Sequence, residues 1–90
     1  MKYALLYESA DDVLTKARPH IAAHSARLVE FRGRGTLLMG GVFANPQEGA
    51  LVIFTTREAA EEFALSDPFV VNAVVRAWRI YEWNETQFGA

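Results

Sequence analysis

Between Tyr3 and Tyr7 the chain offers water neither side of a strand. Tyr3, Leu5 and Tyr7 alternate with Ala4 and Leu6, and both sets are apolar. Successive side chains of a strand point to opposite faces, so a segment of this kind must be covered above and below. Helices can cover one face of a sheet, and something else has to cover the other. With 90 residues there is length for a single domain spanning residues 1–90 and no second core, so the second cover has to come from outside the domain.

The rest of the chain supplies the remaining layers. After a polar interval, Glu8 to Asp12, a helical region interrupted early by Pro19 has its main body predicted from Arg18 to Arg32. It closes at Gly33 or Gly35, where the missing Cβ permits a left-handed cap. Ile21, His24, Leu28 and Phe31 follow one another at steps of three, four and three and share one stripe of that helix. Thr36 to Phe43 reads as a second strand containing Gly40-Gly41, a pair that leaves room for a bulge, a close backbone approach or a ligand. Asn45 to Gly49 has turn composition, and Ala50 to Phe54 is a third strand, a hairpin partner of the second. Thr55 to Glu58 fits a capping box with Thr55 as N-cap, opening a helix to about Leu65 that buries Ala59, Ala60, Phe63 and Ala64. Arg76 to Trp83 is the last strand, and the tail from Asn84 to Ala90 is expected to gain order through a partner.

Strand, helix, strand, strand, helix, strand is the order of a ferredoxin-like α+β sandwich: a four-stranded antiparallel sheet with two helices on one face. The uncovered face is apolar, and a patch of that size is rarely left bare on a monomer. A homodimer packed sheet against sheet follows as the expectation.

Composition narrows the partners. A net charge of −2 and a pI near 5.6 lack the electrostatic footprint of a nucleic-acid binder. The single Arg32-Gly33-Arg34-Gly35 run reads as a helix end with cations near the negative end of the dipole, and Trp78, Tyr81 and Trp83 read as packing and dimer contacts. No apolar run approaches the roughly 20 residues of a membrane span. There is no cysteine, so disulfides and thiolate metal sites are excluded; a cytoplasmic protein is the expectation.

Two residues stand out chemically. Pro68 forces the helix before it to stop, and Asp67, four residues past Phe63 and three past Ala64, then points with the core stripe if the helical path persists. A second reading of Asp67-Pro68 is an N-cap and first position of a short new helix through Ala73. His24 occupies a position that otherwise belongs to the core. A carboxylate bonded to one imidazole nitrogen fixes the tautomer and leaves the other nitrogen to take or give a proton. The competing reading is a buried histidine satisfied by the nearest polar group. His20 and His24 have the spacing of two ligands on one helix face, but no third ligand and no adjacent Glu accompany them, so no metal is expected and His20 reads as a solvent-edge residue.

Three stretches carry a resemblance. Arg18-Pro19-His20-Ile21-Ala22-Ala23-His24-Ser25-Ala26-Arg27-Leu28, then Gly35-Thr36-Leu37-Leu38-Met39-Gly40-Gly41, then Asp67-Pro68-Phe69-Val70 resemble the YCII-related proteins, from the opening strand to Glu82. The resemblance implies a small dimeric α+β barrel of ferredoxin-like topology, with a His/Asp pair as active site at positions 24 and 67. Two departures lie near the implied pocket: Gly41-Val42 where the family often has Gly-Pro, and Ala73 where it often has glycine.

The reading that results is a small cofactor-independent enzyme. His24 is the general acid or base, Asp67 orients it, and Met39, Gly41 and Phe69 line a partly apolar pocket for a small metabolite, an aromatic one included. Lyase, isomerase and hydrolase chemistry all need only such proton transfer. The alternative is a dimeric binding module whose His/Asp pair is structural, in which case the pair is closed off from solvent and from any cavity.

Overall fold

The computed structural model describes residues 1–86. The chain runs β1 (Lys2–Ser9), α1 (Val13–Ala17), α2 (Ile21–Gly33), β2 (Leu37–Val42), β3 (Ala50–Phe54), α3 (Arg57–Ser66), α4 (Pro68–Val71) and β4 (Val75–Trp83), with single 3-10 turns at Arg18–His20 and Pro46–Glu48. The strands form one antiparallel sheet in the order β2-β3-β1-β4. This is the ferredoxin-like α+β fold that the order of elements predicts.

The sheet register sorts the side chains into two layers. Leu5, Tyr7, Val52 and Phe54 face the helices and form a core with Phe31 of α2 and Ala60, Phe63 and Ala64 of α3. Phe31 and Phe63 meet edge to face with centroids 5.3 Å apart, a geometry that adds roughly 0.5–1.5 kcal/mol to the area buried. The opposite face carries Ala4, Leu6, Leu51, Ile53 and Tyr81 by register, and among the described residues no helix lies over it.

Local chemistry explains where the elements differ from expectation. Pro19 lacks the N–H that a continuous helix needs, so the region divides into α1, a 3-10 turn and α2, and the main body begins at Ile21, not at Arg18. The stripe Ile21, His24, Leu28 and Phe31 survives and runs from an exposed end to a fully buried one. Helix α2 closes at Gly35, whose φ is +79°. The N-cap of α3 is Thr56, not Thr55: the Thr56 hydroxyl accepts from the Ala59 amide at 3.1 Å. One step of register puts Ala59 at the third helical position, so Glu58 does not complete a capping box. A register shift in β2 between Leu37 and Met39 sets Met39 opposite Ile53 on the open face, 62 % exposed. The last four residues of the tail lie outside the described residues.

Candidate active site

Helix α3 ends because Asp67, before Pro68, takes an extended backbone at φ −63° and ψ 125°. Its side chain then caps α4, Oδ1 accepting from the Phe69 amide at 3.1 Å. The same carboxylate reaches His24 on α2, with Nδ1 at 2.8 Å from Oδ1 and 3.0 Å from Oδ2. Capping and pairing are therefore one arrangement rather than alternatives. A third donor, the hydroxyl of Tyr7 on β1, meets Oδ2 at 2.7 Å.

Asp67 has no exposed surface. A buried carboxylate is tolerated only where donors and an opposite charge replace water, and here three donors converge from three separate parts of the fold. An ionised carboxylate only accepts hydrogen bonds, so Nδ1 of His24 carries a hydrogen, and in the neutral imidazole Nε2 presents a lone pair. Among the described residues none bonds Nε2.

The imidazole is also held by its faces. Phe69 stacks on it, centroids 3.9 Å apart and planes 10° apart, and the edge of Phe63 meets it at 6.2 Å. The sequence Asp67-Pro68-Phe69 thus grips one ring twice, by its edge and by its face. The His24 side chain keeps 17 % of its surface.

That surface borders a cavity of about 370 Å3 between the helix layer and the sheet. Leu14 of α1, Ile21 and Leu28 of α2, Gly40 and Gly41 of β2 and Phe69 of α4 contribute to its wall. Of the residues singled out from the sequence, His24, Asp67, Gly41 and Phe69 are thus brought to one place, Asp67 behind the wall and the others on it. Met39 is not among them: strands alternate, and it sits across the sheet from the cavity.

Sequence reasoning missed Tyr7, placing it only in an apolar strand face. A signal existed, because a buried tyrosine needs a partner for its hydroxyl, and Leu5 and Tyr7 share a face. Burial, with the Asp67 carboxylate beside it, raises the Tyr7 phenol well above its ordinary range, so it remains a donor at physiological pH. The β2–β3 turn supports this strand closely: a Cβ on Gly49, whose φ is +112°, would lie 1.9 Å from the Tyr7 carbonyl oxygen. Among the described residues no three metal-ligating side chains converge.

A family model for the YCII-related domain matches residues 1–84. The chain belongs to the YCII-related family. Among curated protein sequences none matches it. A solved structure of similar fold is 5-chloro-2-hydroxyhydroquinone dehydrochlorinase from Burkholderia phenoliruptrix AC1100, in complex with 2,5-dihydroxybenzoquinone, at 18 % identity and a TM-score of 0.77 over 96 % of each chain.

Both departures of this YCII-related chain find a place in the structure. Val42 ends β2 on the cavity wall. Ala73 has φ +58°, the left-handed region that glycine enters freely and alanine does not, so the frequent family glycine suits the turn into β4.

Proposed function

We propose that this chain is a small enzyme of the proton-transfer type, in which His24 is the acid or base and Asp67 the group that orients it. One observation carries the reading: His24 is tied through Nδ1 to a fully buried carboxylate while its ring borders a cavity of about 370 Å3. A structural pair would have no reason to face a cavity. The lone pair on Nε2 takes a proton from a bound molecule, the imidazolium that forms is stabilised by Asp67, and the same nitrogen returns the proton to another position of the substrate or to the leaving group. Elimination, isomerisation and hydrolysis all run on that cycle, and none requires a cofactor for the proton itself.

The largely apolar wall favours a small, aromatic or otherwise apolar metabolite. The dehydrochlorinase of similar fold, named for an aromatic compound, supports the same choice. The working unit in this reading is a cytoplasmic homodimer, a second copy covering the open sheet face where Met39, Tyr81 and Trp83 otherwise stand exposed.

The test is chemistry-neutral. Small carbonyl and phenolic compounds are incubated with the protein in deuterated water, and deuterium incorporation or product formation is followed by mass spectrometry. Turnover that disappears in a folded His24→Asn variant supports the reading; turnover unaffected by that change, or none with any compound, refutes it. Sedimentation velocity at micromolar concentration reads the dimer separately.

A further inference from the structure

The cavity beside His24 is unusually poor in free polar groups. Of the side chains that line it, Tyr7, Ser9 and His24 alone among the described residues carry polar atoms, and none is Lys, Arg, Asp or Glu. Two of the three are already engaged. The Tyr7 hydroxyl donates to Asp67 at 2.7 Å, and the Ser9 hydroxyl donates to the Pro46 carbonyl at 2.7 Å. Both hydroxyl hydrogens are thus spent and their oxygens can only accept. Nε2 of the neutral His24 imidazole is an acceptor as well, with no bond among the described residues, so the side chains ask a ligand for a donor.

The rest of the enclosure agrees in character. Leu14, Ile21 and Val42 line the cavity and are themselves exposed, so the entrance is apolar as well as the wall. An anionic group brought inside would leave water and meet no Lys or Arg. Gly40 and Gly41 contribute no side chain to the β2 wall, leaving the smooth backbone surface on which a flat ring can lie. A volume of about 370 Å3 is near the lower end of small-molecule sites, roughly 300–1,000 Å3.

We propose that the cavity takes a neutral molecule built on one apolar ring with a single hydroxyl group, the hydroxyl donating to Nε2 of His24 and the ring lying against Leu14, Leu28 and the Gly40-Gly41 backbone. The proposal rests on the reading of His24 as the acid or base and narrows it. A ring bearing several hydroxyl or carbonyl groups, like the compound held by the dehydrochlorinase of similar fold, would bury further polar groups where the lining offers no free side-chain donor and, besides Nε2, only the Tyr7 and Ser9 oxygens as acceptors. Each such group lowers affinity by roughly ten- to a hundredfold.

The experiment is an NMR titration of the full chain, following the His24 ring nitrogens and the Leu14 and Ile21 methyls, with para-ethylphenol, hydroxyhydroquinone and benzoate as probes. Para-ethylphenol is expected to bind saturably, shift Nε2 and Leu14 together, and bind at least tenfold more tightly than either of the others. Equal or tighter binding of hydroxyhydroquinone or benzoate overturns the proposal, as does no saturable binding of para-ethylphenol. His24→Asn should weaken para-ethylphenol about tenfold, and unchanged affinity in that variant also overturns it. Leu14→Arg, on an exposed helix surface, puts a cation at the wall and should raise benzoate affinity tenfold or more; no gain overturns the placement of the ring. If these binding results hold while no His24-dependent turnover is found, the ligand class stands and the enzymatic reading falls.

Discussion

The ring of Phe69 lies parallel to the imidazole of His24, 3.9 Å away, and two residues earlier in the chain Asp67 bonds the edge of the same imidazole. Position and tautomer of His24 are therefore set by one short segment, Asp67-Pro68-Phe69, whose shape proline restricts. Replacing Phe69 by leucine keeps bulk and removes the stack, worth about 0.5–1.5 kcal/mol. Phe69→Leu should lower the unfolding free energy by about 1 kcal/mol and broaden the His24 ring resonances while the Asp67 bond persists; an unchanged ring spectrum would show that the stack does not hold the imidazole.

Asp67→Asn tests the electrostatic half of that grip. An amide oxygen still caps α4, but the other side-chain atom becomes a donor facing Tyr7 or His24. The Nδ1-H tautomer should lose its dominance, visible as a change in the pattern of the two ring nitrogen shifts. Asp67→Ala should cost more stability: about 1 kcal/mol for the cap and about 1–3 kcal/mol for a buried Tyr7 hydroxyl without a partner.

Tyr7 gives the protein an alkaline limit. Its phenol titrates higher in the folded than in the unfolded chain because it is buried beside Asp67, so the folded state holds the proton more tightly. The stabilisation is complete below the unfolded value near ~10 and falls as pH rises past it toward the higher folded value, by up to about 1.4 kcal/mol per pH unit. Urea unfolding of the native protein between pH 8 and roughly 11.5 should show this decline. Tyr7→Phe should be less stable at neutral pH by roughly 1.5–3 kcal/mol and lack that part of the slope.

Ala73 sits at φ +58° on an exposed turn. A left-handed non-glycine residue costs about 1–2 kcal/mol, partly offset by the greater chain entropy of glycine in the unfolded state. Ala73→Gly should stabilise the protein by about 1 kcal/mol, a rise of roughly 4–8 °C in Tm for a domain of this size. A fall in Tm would mean that the turn carries no strain.

Much of this is legible in the amino-acid sequence, for definable reasons. The apolar side of β1 that carries Leu5 and Tyr7 required a helix layer over it, and the stripe Ile21, His24, Leu28 and Phe31 located the buried face of α2 correctly. His24 was placed by its stripe, whereas Asp67 reaches it from an extended residue after α3 rather than by the continued helical path that would have aligned it with Phe63 and Ala64. What escaped depends on single steps of register. Thr55 and Thr56 are chemically alike, and the choice between them turns on where β3 releases the chain. Met39 belongs to the open face because of a bulge that composition does not announce, although Gly40-Gly41 hinted at irregularity. Tyr7 looked like one more apolar strand residue, since its partner lies 60 positions away.

Strand β1 lies between β3 and β4, so the earliest strand of the sheet to be synthesised is the one that pairs on both edges. While the ribosome is still making the second half, β1 can zip to β3 but keeps an open row of amides and carbonyls until Val75–Trp83 emerges. Asp67 arrives in that same late stretch, and Tyr7 and His24 wait for it from the first half. The grip on the imidazole is thus an end-of-synthesis event: a nascent chain stalled before Asp67 would own three of the four strands and a histidine without a proton partner.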